Sequence, residues 1–463
     1  MFGYARKRRL YESLPRWIQA SVCLVPFPLL AGRAYRSTMA RHSQVEAATR
    51  RDILDYQSVR LGELLRYAVD QVPAYEGLKS AVDRMPPFEA LKAFPMIDKD
   101  ALQADMTRYL PRCFDRVPHY ECATGGTSGN QLKFFLDDTS QSVETAFLHR
   151  LWRRVGYSWR ARKATFRGVE FPGIDASSPW QPNPIYNEMQ FSPYHLGGLT
   201  IDRYIDKLIE FRPEFMHGYP SAISTLVRLA EAAGRSLHDL GVKAVFLASE
   251  PVFLEQRSDI ERLLGTRVFS FYGHSERVIL GGECEQDSSY HNFPDYGILE
   301  IVDTGVGTEV QEGETGELVG TGLLNRSLPL IRYRTGDHAR RLASRCACGR
   351  AFDRFDQVEG RWGQEYVVGK SGANIYTAAL NMHGPFFSKV MRYQYFQRRA
   401  GHVELRLMVA PGFTDADSRQ LVAAFARKLG TELDIEPVVV DQIPLTTRGK
   451  LRRVVREPMD VTA

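Results

Sequence analysis

The stretch from 121 to 136 reads ECATGGTSGNQLKFFL and is rich in residues that suit the binding of an anion. Its glycines allow backbone torsions that other residues avoid, and its hydroxyl groups add donors to those of the backbone. The residues concerned are Thr124, Gly125, Gly126, Thr127, Ser128 and Gly129. The spacing is not that of a P-loop, because no GxxxxGK[ST] pattern is present. The stretch therefore predicts a phosphate-binding loop, with an ordinary solvent-exposed loop as the alternative.

Four further motifs place polar side chains close to predicted strands or turns. They are ASEP at 248–251, FYGHSER at 271–277, YRTGD at 333–337 and IPLTTRGKL at 443–451. The first two follow predicted strands directly, and open α/β sheets bind ligands at the carboxyl ends of their strands. Any one motif could be a turn or a solvated surface. Their occurrence together favours the phosphate-binding interpretation of the glycine-rich stretch.

Each motif offers a different chemistry. The ring of Tyr272 could stack on a base, and the carboxylate of Glu276 would hold Mg²⁺ beside phosphates. Asp337, which we expect after a tight turn, could accept hydrogen bonds from two vicinal ribose hydroxyls. Lys450 lies on a glycine-containing turn and could reach phosphate or carboxylate oxygens.

Length and composition indicate a soluble protein of more than one domain. The chain has 463 residues, of which 44% are hydrophobic and 25% charged. The net charge of +5 is small, and the clearest basic clusters lie near the ends, at 6–9 and 448–456, which does not suggest a nucleic-acid-binding protein. Six cysteines do not form a disulfide scaffold, so we expect a reducing compartment and a cytoplasmic location.

The N-terminal segment is basic and then apolar, but residues 17–32 contain two prolines and are too short to span a bilayer. Two interpretations remain open for residues 6–32. They could contact an anionic membrane surface, so that the protein is membrane-associated, or they could be a solvated and normally packed end.

Apolar periodicity predicts alternating helices and strands, which is typical of an α/β fold with a parallel or mixed sheet. The predicted helices are 44–74, 140–155, 203–211, 220–233, 255–264 and 415–433. The predicted strands are 164–171, 242–248, 267–272, 297–303, 313–323, 339–342, 402–411 and 435–444. We therefore predict a large N-terminal domain over 1–360, with a helical lead-in at 1–60 and a β-rich subdomain at 297–345, and a small α+β C-terminal domain over 361–463.

The motifs resemble those of the adenylate-forming ligase superfamily, and within it the phenylacetate–CoA ligase-like and CapK-like branch. The resemblance covers the chain from about Leu61 to the C-terminus. It rests on TGGTSGN at 124–130, HGYPS at 217–221, CACGR at 346–350, the pair at 360–361, TTRGK at 446–450 and the motifs at 248, 271 and 333.

The resemblance implies a multi-layer N-terminal domain, a mobile C-terminal lid domain, and the use of ATP, Mg²⁺ and CoA with a small carboxylic acid. It assigns the glycine-rich loop to the β- and γ-phosphates and Glu276 to Mg²⁺. It places Ser249, Glu250, Tyr272, Gly273 and Ser275 at the nucleotide, Asp337 and Arg361 at the ribose, and Lys450 at the substrate carboxylate and α-phosphate. His217, Tyr219 and His274 are expected beside the acyl group, although a structural role for each histidine fits equally well.

The sequence departs from the family pattern where acyl transfer is controlled. The hinge acid expected shortly after Gly360 and Arg361 is missing, since Trp362, Gly363 and Gln364 follow. Adenylation is therefore the firmer prediction. The acceptor could be CoA, or an amine or hydroxyl in polysaccharide or secondary-metabolite biosynthesis, and a non-catalytic nucleotide-binding relative is a further alternative.

The cysteines supply a second constellation. Cys284 and His291 stand upstream of a CxC pair, Cys346 and Cys348, which precedes Gly349. Three cysteines and one histidine form a known tetrahedral zinc set. We predict structural zinc, against the alternative of four unrelated side chains.

Overall fold

The computed structural model describes residues 25–123, 132–167, 177–360, 365–376, 380, 389–429, 432–446 and 449–457. The predicted phosphate loop at 124–129 and Arg361 lie outside these ranges, as does most of the basic and apolar N-terminal segment. Among the described residues, no helix combines the length and apolar character needed to cross a membrane.

The helices and strands of the described residues are numbered in chain order. The helices are α1 Phe27–Leu30, α2 Gly32–Ala40, α3 His42–Glu46, α4 Arg50–Gln71, α5 Lys79–Arg84, α6 Pro87–Lys92, α7 Lys99–Ala104, α8 Ser140–Arg153, α9 Ile201–Phe211, α10 Pro220–Ala232, α11 Leu254–Leu264 and α12 Asp415–Leu429. The strands are β1 His119–Ala123, β2 Lys133–Asp137, β3 Lys163–Phe166, β4 Trp180–Asn183, β5 Glu188–Phe191, β6 Phe215–Gly218, β7 Ala244–Ala248, β8 Val268–Gly273, β9 Leu280–Glu283, β10 Tyr290–Asn292, β11 Gly297–Val302, β12 Thr315–Gly322, β13 Tyr333–Leu342, β14 Arg354–Glu359, β15 Tyr366–Val368, β16 Asn374–Tyr376, β17 Val390–Arg399, β18 His402–Val409, β19 Asp434–Val439 and β20 Val454–Arg456.

The chain forms two compact units. Unit 1 consists of Met1–Arg160, Pro184–Tyr186 and Phe269–Val358, and unit 2 of Ala161–Asn183, Asn187–Val268 and Glu359–Ala463. The last segment of unit 2 therefore packs with 161–268. The division of the chain at 360 remains a prediction.

Unit 1 combines the N-terminal helices with mostly antiparallel strands in the order β11-β12-β13-β14-β10-β9-β8. Its longest helix, α4, begins at a capping box in which Thr49 and Asp52 bond each other's backbone N–H groups. The strands β1 and β2 form a separate antiparallel hairpin with Ala123 opposite Lys133. The glycine-rich stretch is therefore the connection of this hairpin.

Unit 2 contains a mostly parallel sheet in the order β7-β6-β3-β5-β4, with only β4 antiparallel to its neighbour. The strands β3, β6 and β7 are buried along their whole length, and the helices α9, α10 and α11 contribute side chains to the same core. The C-terminal segment adds a four-stranded sheet, β19-β18-β17-β20, whose core includes Leu421 and Phe425 of α12.

The structure confirms the predicted fold class, and the helices lie close to their predicted positions. One local expectation was wrong: the YRTGD motif forms no tight turn, because Tyr333–Asp337 lies inside β13. The β12–β13 register shifts between Glu317 and Val319, and Gly336 has a φ of 72°. Such a bulge re-aims a side chain without ending the strand, and Asp337 follows it directly.

Candidate active site and metal centre

In unit 2, three predicted site residues lie at the carboxyl ends of neighbouring parallel strands. His217 belongs to β6, Tyr219 directly precedes α10, and Ser249 follows β7. Ser249 has a φ of 69°, in the left-handed region that non-glycine residues seldom adopt, so the chain turns sharply at the strand end. These strand ends form the edge at which α/β sheets bind ligands.

His217 is buried and holds a defined tautomer. Its Nδ1 lies 2.9 Å from the carbonyl oxygen of Phe246, so the proton resides on Nδ1 and donates to that oxygen. Burial, with the nearby charges of Arg167 and Lys163, holds the pKa of His217 well below its usual range. The imidazole is therefore neutral at physiological pH and presents Nε2 as an acceptor.

Lys450 reaches the same strand ends from the C-terminal segment. Thr446 is joined to the residues at the lysine by hydrogen bonds from Gly449 N to Thr446 O and from Lys450 N to the Thr446 hydroxyl, at 2.7 and 3.0 Å. Gly449 takes a φ of 71°, which glycine adopts without strain. The Lys450 ammonium donates to the carbonyl oxygen of Ser249 at 2.9 Å and lies 5.8 Å from the centre of the Tyr219 ring.

Glu250 ties the lysine turn to the start of α10. One carboxylate oxygen accepts from the backbone N–H of Leu451 and the other from that of Ser221, both at 3.1 Å. The carboxylate thus fixes the residue that follows Lys450. Its predicted contact with the adenine remains a prediction.

Arg167, which directly follows β3, was not among the predicted site residues. Its guanidinium donates to the Ser249 hydroxyl at 3.2 Å, lies 3.5 Å from His217 Nε2, and stands 5.5 Å from the centre of the Tyr219 ring. No motif marks this arginine, but its position at the end of a predicted parallel strand is the same signal that singled out Ser249. Arg167 brings a second cation to the predicted site.

In unit 1, Tyr272 and Asp337 are in contact. The Tyr272 hydroxyl donates to Oδ2 of Asp337 at 2.8 Å, and burial together with this carboxylate raises the pKa of Tyr272 well above its usual range. The tyrosine therefore stays a donor and fixes the orientation of the aspartate. An oriented carboxylate of this kind can accept hydrogen bonds from vicinal hydroxyls.

Glu276 is buried and receives a hydrogen bond from the Tyr333 hydroxyl at 2.9 Å. Tyr333 belongs to the YRTGD motif and Glu276 to the FYGHSER motif, so this hydrogen bond connects the two motifs. The oxygen chemistry of the Glu276 carboxylate suits Mg²⁺. Nearby, His274 Nε2 accepts from the backbone N–H of Val278 at 3.4 Å, which favours a structural role, while Gly273 and Ser275 are exposed.

The predicted zinc ligands meet in one cluster of unit 1. The ligand atoms of Cys284, His291, Cys346 and Cys348 all lie within 4.8 Å of one another. Cys284 Sγ is 3.7 Å from Cys346 Sγ, and Cys348 Sγ is 3.5 Å from His291 Nε2. A zinc tetrahedron with bonds of about 2.3 Å to sulfur and 2.0 Å to nitrogen has edges of about 3.8 and 3.5 Å. These separations therefore fit zinc, and the sulfurs are too far apart for a disulfide of about 2.05 Å.

The surroundings of Cys284 and His291 favour the forms of these side chains that bind a metal. The backbone N–H groups of Gln286 and Asp287 point at Cys284 Sγ, at 3.3 and 3.5 Å, and stabilise a thiolate. Burial, followed by the charge of Arg154, lowers the pKa of His291 to about 4, so the ring is neutral and can ligate.

Known proteins resemble the chain over most of its length. A family model described as the CapK C-terminal domain matches residues 368–457. The phenylacetate-coenzyme A ligase of Thermus thermophilus is 27% identical, over 90% of this chain and 99% of that protein. Protein CapK of Staphylococcus aureus is 24% identical, over 77% and 78% of the two chains. In sequence the chain thus resembles the adenylate-forming ligases of the phenylacetate–CoA ligase-like and CapK-like branch.

The fold of the chain agrees with that of a solved structure. A 2-hydroxyisobutyryl-CoA ligase in the postadenylation state superposes with a TM-score of 0.69, at 19% identity over 90% of this chain and 92% of that chain. The strands that carry the predicted nucleotide and acyl residues thus belong to the shared fold. The roles of Lys450 at the reacting groups, Glu276 at Mg²⁺ and Asp337 at the ribose remain predictions.

Proposed function

We propose that the chain is an ATP-dependent, AMP-forming ligase that activates a carboxylic acid and transfers the acyl group to CoA. The observation that carries this proposal is the position of Lys450, whose ammonium lies 2.9 Å from the Ser249 carbonyl at the carboxyl end of β7. A protein that only bound a nucleotide would not need a lysine on a built turn at the predicted acyl residues.

The chemistry begins with attack of a substrate carboxylate oxygen on the α-phosphorus of ATP. The bond to the bridging oxygen of the β-phosphate breaks, pyrophosphate leaves, and an acyl-adenylate forms. Both reactants are anions, so positive charge must stabilise the transition state. Lys450 supplies that charge between the carboxylate and the α-phosphate. Its turn is anchored through Glu250, which reduces the entropy lost in placing it.

Unit 1 supplies the proposed nucleotide contacts. Glu276 would hold Mg²⁺, which when bound neutralises phosphate charge. Asp337, oriented by Tyr272, would accept hydrogen bonds from the ribose. The glycine-rich stretch connecting β1 and β2 and Arg361 complete the assignment by resemblance.

The acceptor in the second step is proposed to be CoA, as the names of the phenylacetate-coenzyme A ligase relatives suggest. The absence of a hinge acid after Arg361 supports one alternative, in which an amine or hydroxyl takes the acyl group. The CapK relative and the CapK C-terminal match make a role in polysaccharide biosynthesis the corresponding setting.

We also propose that Cys284, His291, Cys346 and Cys348 hold a structural zinc ion. Four protein ligands fill a tetrahedral site, so no position is open for a substrate or an activated water. Metal analysis of protein purified without a metal-affinity tag should find about one zinc per chain, and protein that is folded and free of zinc would contradict the assignment.

The function is tested by following products directly. The protein is incubated with ATP, Mg²⁺ and a panel of carboxylic acids, with and without CoA, and the products are separated by mass. We expect an acyl-adenylate and pyrophosphate without CoA, and a thioester together with AMP when CoA is present. AMP formation unaffected by CoA, with the acyl group on an added amine or sugar, would support the other acceptor. ADP in place of AMP would contradict the proposal.

A further inference from the structure

Arg167 contacts the same strand ends as the proposed catalytic lysine. It follows β3, which is parallel to β6, and β6 is parallel to β7. Its guanidinium contacts Ser249 after β7, and His217 and Tyr219 at the end of β6. The side chain therefore lies at the ligand-binding edge of the unit 2 sheet.

The partners of Arg167 are neutral. Within the described part of the chain they are the Ser249 hydroxyl, the His217 ring nitrogen and the Tyr219 ring. His217 carries no charge at physiological pH and accepts through Nε2, so it orients the guanidinium without neutralising it. Arg228 and Arg332 differ, because they pair with Asp259 and Glu300, whereas the buried Arg392 also donates to a hydroxyl, that of Thr225.

A partly desolvated cation without a counter-charge is costly, and a guanidinium offers several donors in a rigid fork that matches a carboxylate. Arg167 is thus held by groups that fix its position and leave its charge to be matched by a ligand. The carboxylate that binds Arg167 would have to be a different one from the carboxylate beside Lys450. Lys450 is proposed to act at the reacting carboxylate and the α-phosphate.

The separation of the two cations sets the size of the ligand. The Arg167 guanidinium carbon is 5.5 Å and the Lys450 ammonium 5.8 Å from the centre of the Tyr219 ring, so at most about 11 Å separates the two charges. This is an upper limit, so two carboxylates that bind the two cations at once can be no more than a few carbons apart. Among the described residues, an acid with an apolar remainder would leave Arg167 without a counter-charge.

We infer that the substrate of this ligase is a short dicarboxylic acid, with one carboxylate adenylated beside Lys450 and the other bound by Arg167. The inference rests on the proposed function and specifies its substrate class. The inferred substrate differs from the one that the names of the phenylacetate-coenzyme A ligase relatives suggest, because phenylacetate has a single carboxylate.

The test compares matched acids in the exchange of labelled pyrophosphate into ATP. The pairs are propionate with malonate, butyrate with succinate, and phenylacetate with phenylmalonate, each differing by one carboxylate. A charge-assisted pair contributes about 1.5–3 kcal/mol, so kcat/KM for the best diacid should exceed that of its partner about 10- to 100-fold. In Arg167→Met this ratio should fall to about one, while the KM for ATP stays within about twofold.

Two further variants keep the result interpretable. Arg162→Met removes an exposed arginine just before β3, whose Nε bonds the Arg212 carbonyl, and should keep the diacid preference. Arg167→Gln keeps polar donors without charge and should lose the preference as Arg167→Met does, which guards against a folding defect in one variant.

Three outcomes would overturn the inference. The wild-type protein could prefer the monoacids, Arg167→Met could leave the ratio unchanged, or it could lower exchange equally for both members of a pair, which would place Arg167 at the reacting carboxylate. Absence of exchange with every acid would contradict the proposed function itself. Exchange with monoacids alone would overturn only the inference.

Discussion

Two arginines, one in each unit, are held by different kinds of partner. In unit 1, Arg150 is fully buried and makes a bidentate ion pair with Asp295, at 2.7 and 3.2 Å. In unit 2, Arg167 is held by a hydroxyl, a neutral imidazole and an aromatic ring, although the buried Lys163 of the same unit pairs with Glu188 at 3.3 Å. We interpret the paired charges as parts of the fold and Arg167 as a charge available to a ligand.

The largest expected effect is on catalysis. Lys450→Ala should lower acyl-adenylate formation by about 100- to 1,000-fold, since it removes a charge that acts on the transition state, while ATP binding persists. The rate of adenylate formation and the affinity for ATP are measured separately. Lys243→Ala is the matched control, because Lys243 also lies over an aromatic ring, that of Phe215, but pairs with Glu214 at the surface. Normal adenylation by Lys450→Ala would refute its assignment.

The second effect is on stability. Arg150→Met should lower the free energy of unfolding by about 3–5 kcal/mol, because Asp295 would be left as an unpaired buried charge. Replacing both partners, as Arg150→Met with Asp295→Leu, should recover much of the loss. Denaturant unfolding of the four proteins measures the coupling. If the single and double variants were equally unstable, the loss of stability would not come from an unpaired Asp295 carboxylate.

The third effect concerns the metal. Cys346→Ser should lower the zinc content from about one equivalent toward zero and lower the melting temperature, because structural zinc contributes directly to folding. Cys113→Ser is the control, since that thiol contacts the Tyr67 hydroxyl outside the cluster and its loss should leave zinc in place. Equal zinc content in both variants would show that the cluster does not bind the ion.

The smallest effect is the pH dependence of His217. Its folded pKa lies well below 6.5, so below pH 6.5 the unfolded chain takes up a proton that the folded chain does not. Stability is therefore lost as pH falls below that value, by up to about 1.4 kcal/mol per pH unit from this group. His217→Gln should flatten the dependence between pH 6.5 and 5, as followed by denaturant unfolding at each pH. An unchanged slope would mean that His217 is not held neutral.

Much of the fold followed from local pattern. Helices such as α8 and α11 and the buried strand β7 combine apolar periodicity with clear end signals, and they lie within a few residues of their predicted bounds. The strand β17 was missed, because its arginines, glutamines and tyrosines in MRYQYFQRR obscure the alternation that its packing creates. The bulge at Gly336 depends on the register with β12, which no local pattern specifies.

The residues of the candidate sites could be predicted from the sequence where they belong to short motifs. The four zinc ligands stand as a pair upstream and a CxC pair downstream, and the antiparallel pairing of β9, β10 and β14 brings them together. Arg167 was missed because its role depends on tertiary contacts. A single arginine in the sequence does not reveal that residues at the ends of β6 and β7 lie beside it. The same holds for Glu250, which accepts hydrogen bonds from backbone N–H groups 29 and 201 residues away in the sequence.

The most direct test of acid activation is acid-dependent exchange of labelled pyrophosphate into ATP, by the wild-type protein and by Lys450→Ala, in the absence of CoA. Exchange requires reversible formation of an acyl-adenylate and pyrophosphate at the enzyme, so it reports the proposed reaction itself. The account predicts exchange that depends on the acid and is lost in Lys450→Ala. Wild-type protein that is folded and binds ATP, yet shows no exchange with any mono- or dicarboxylic acid, would contradict it.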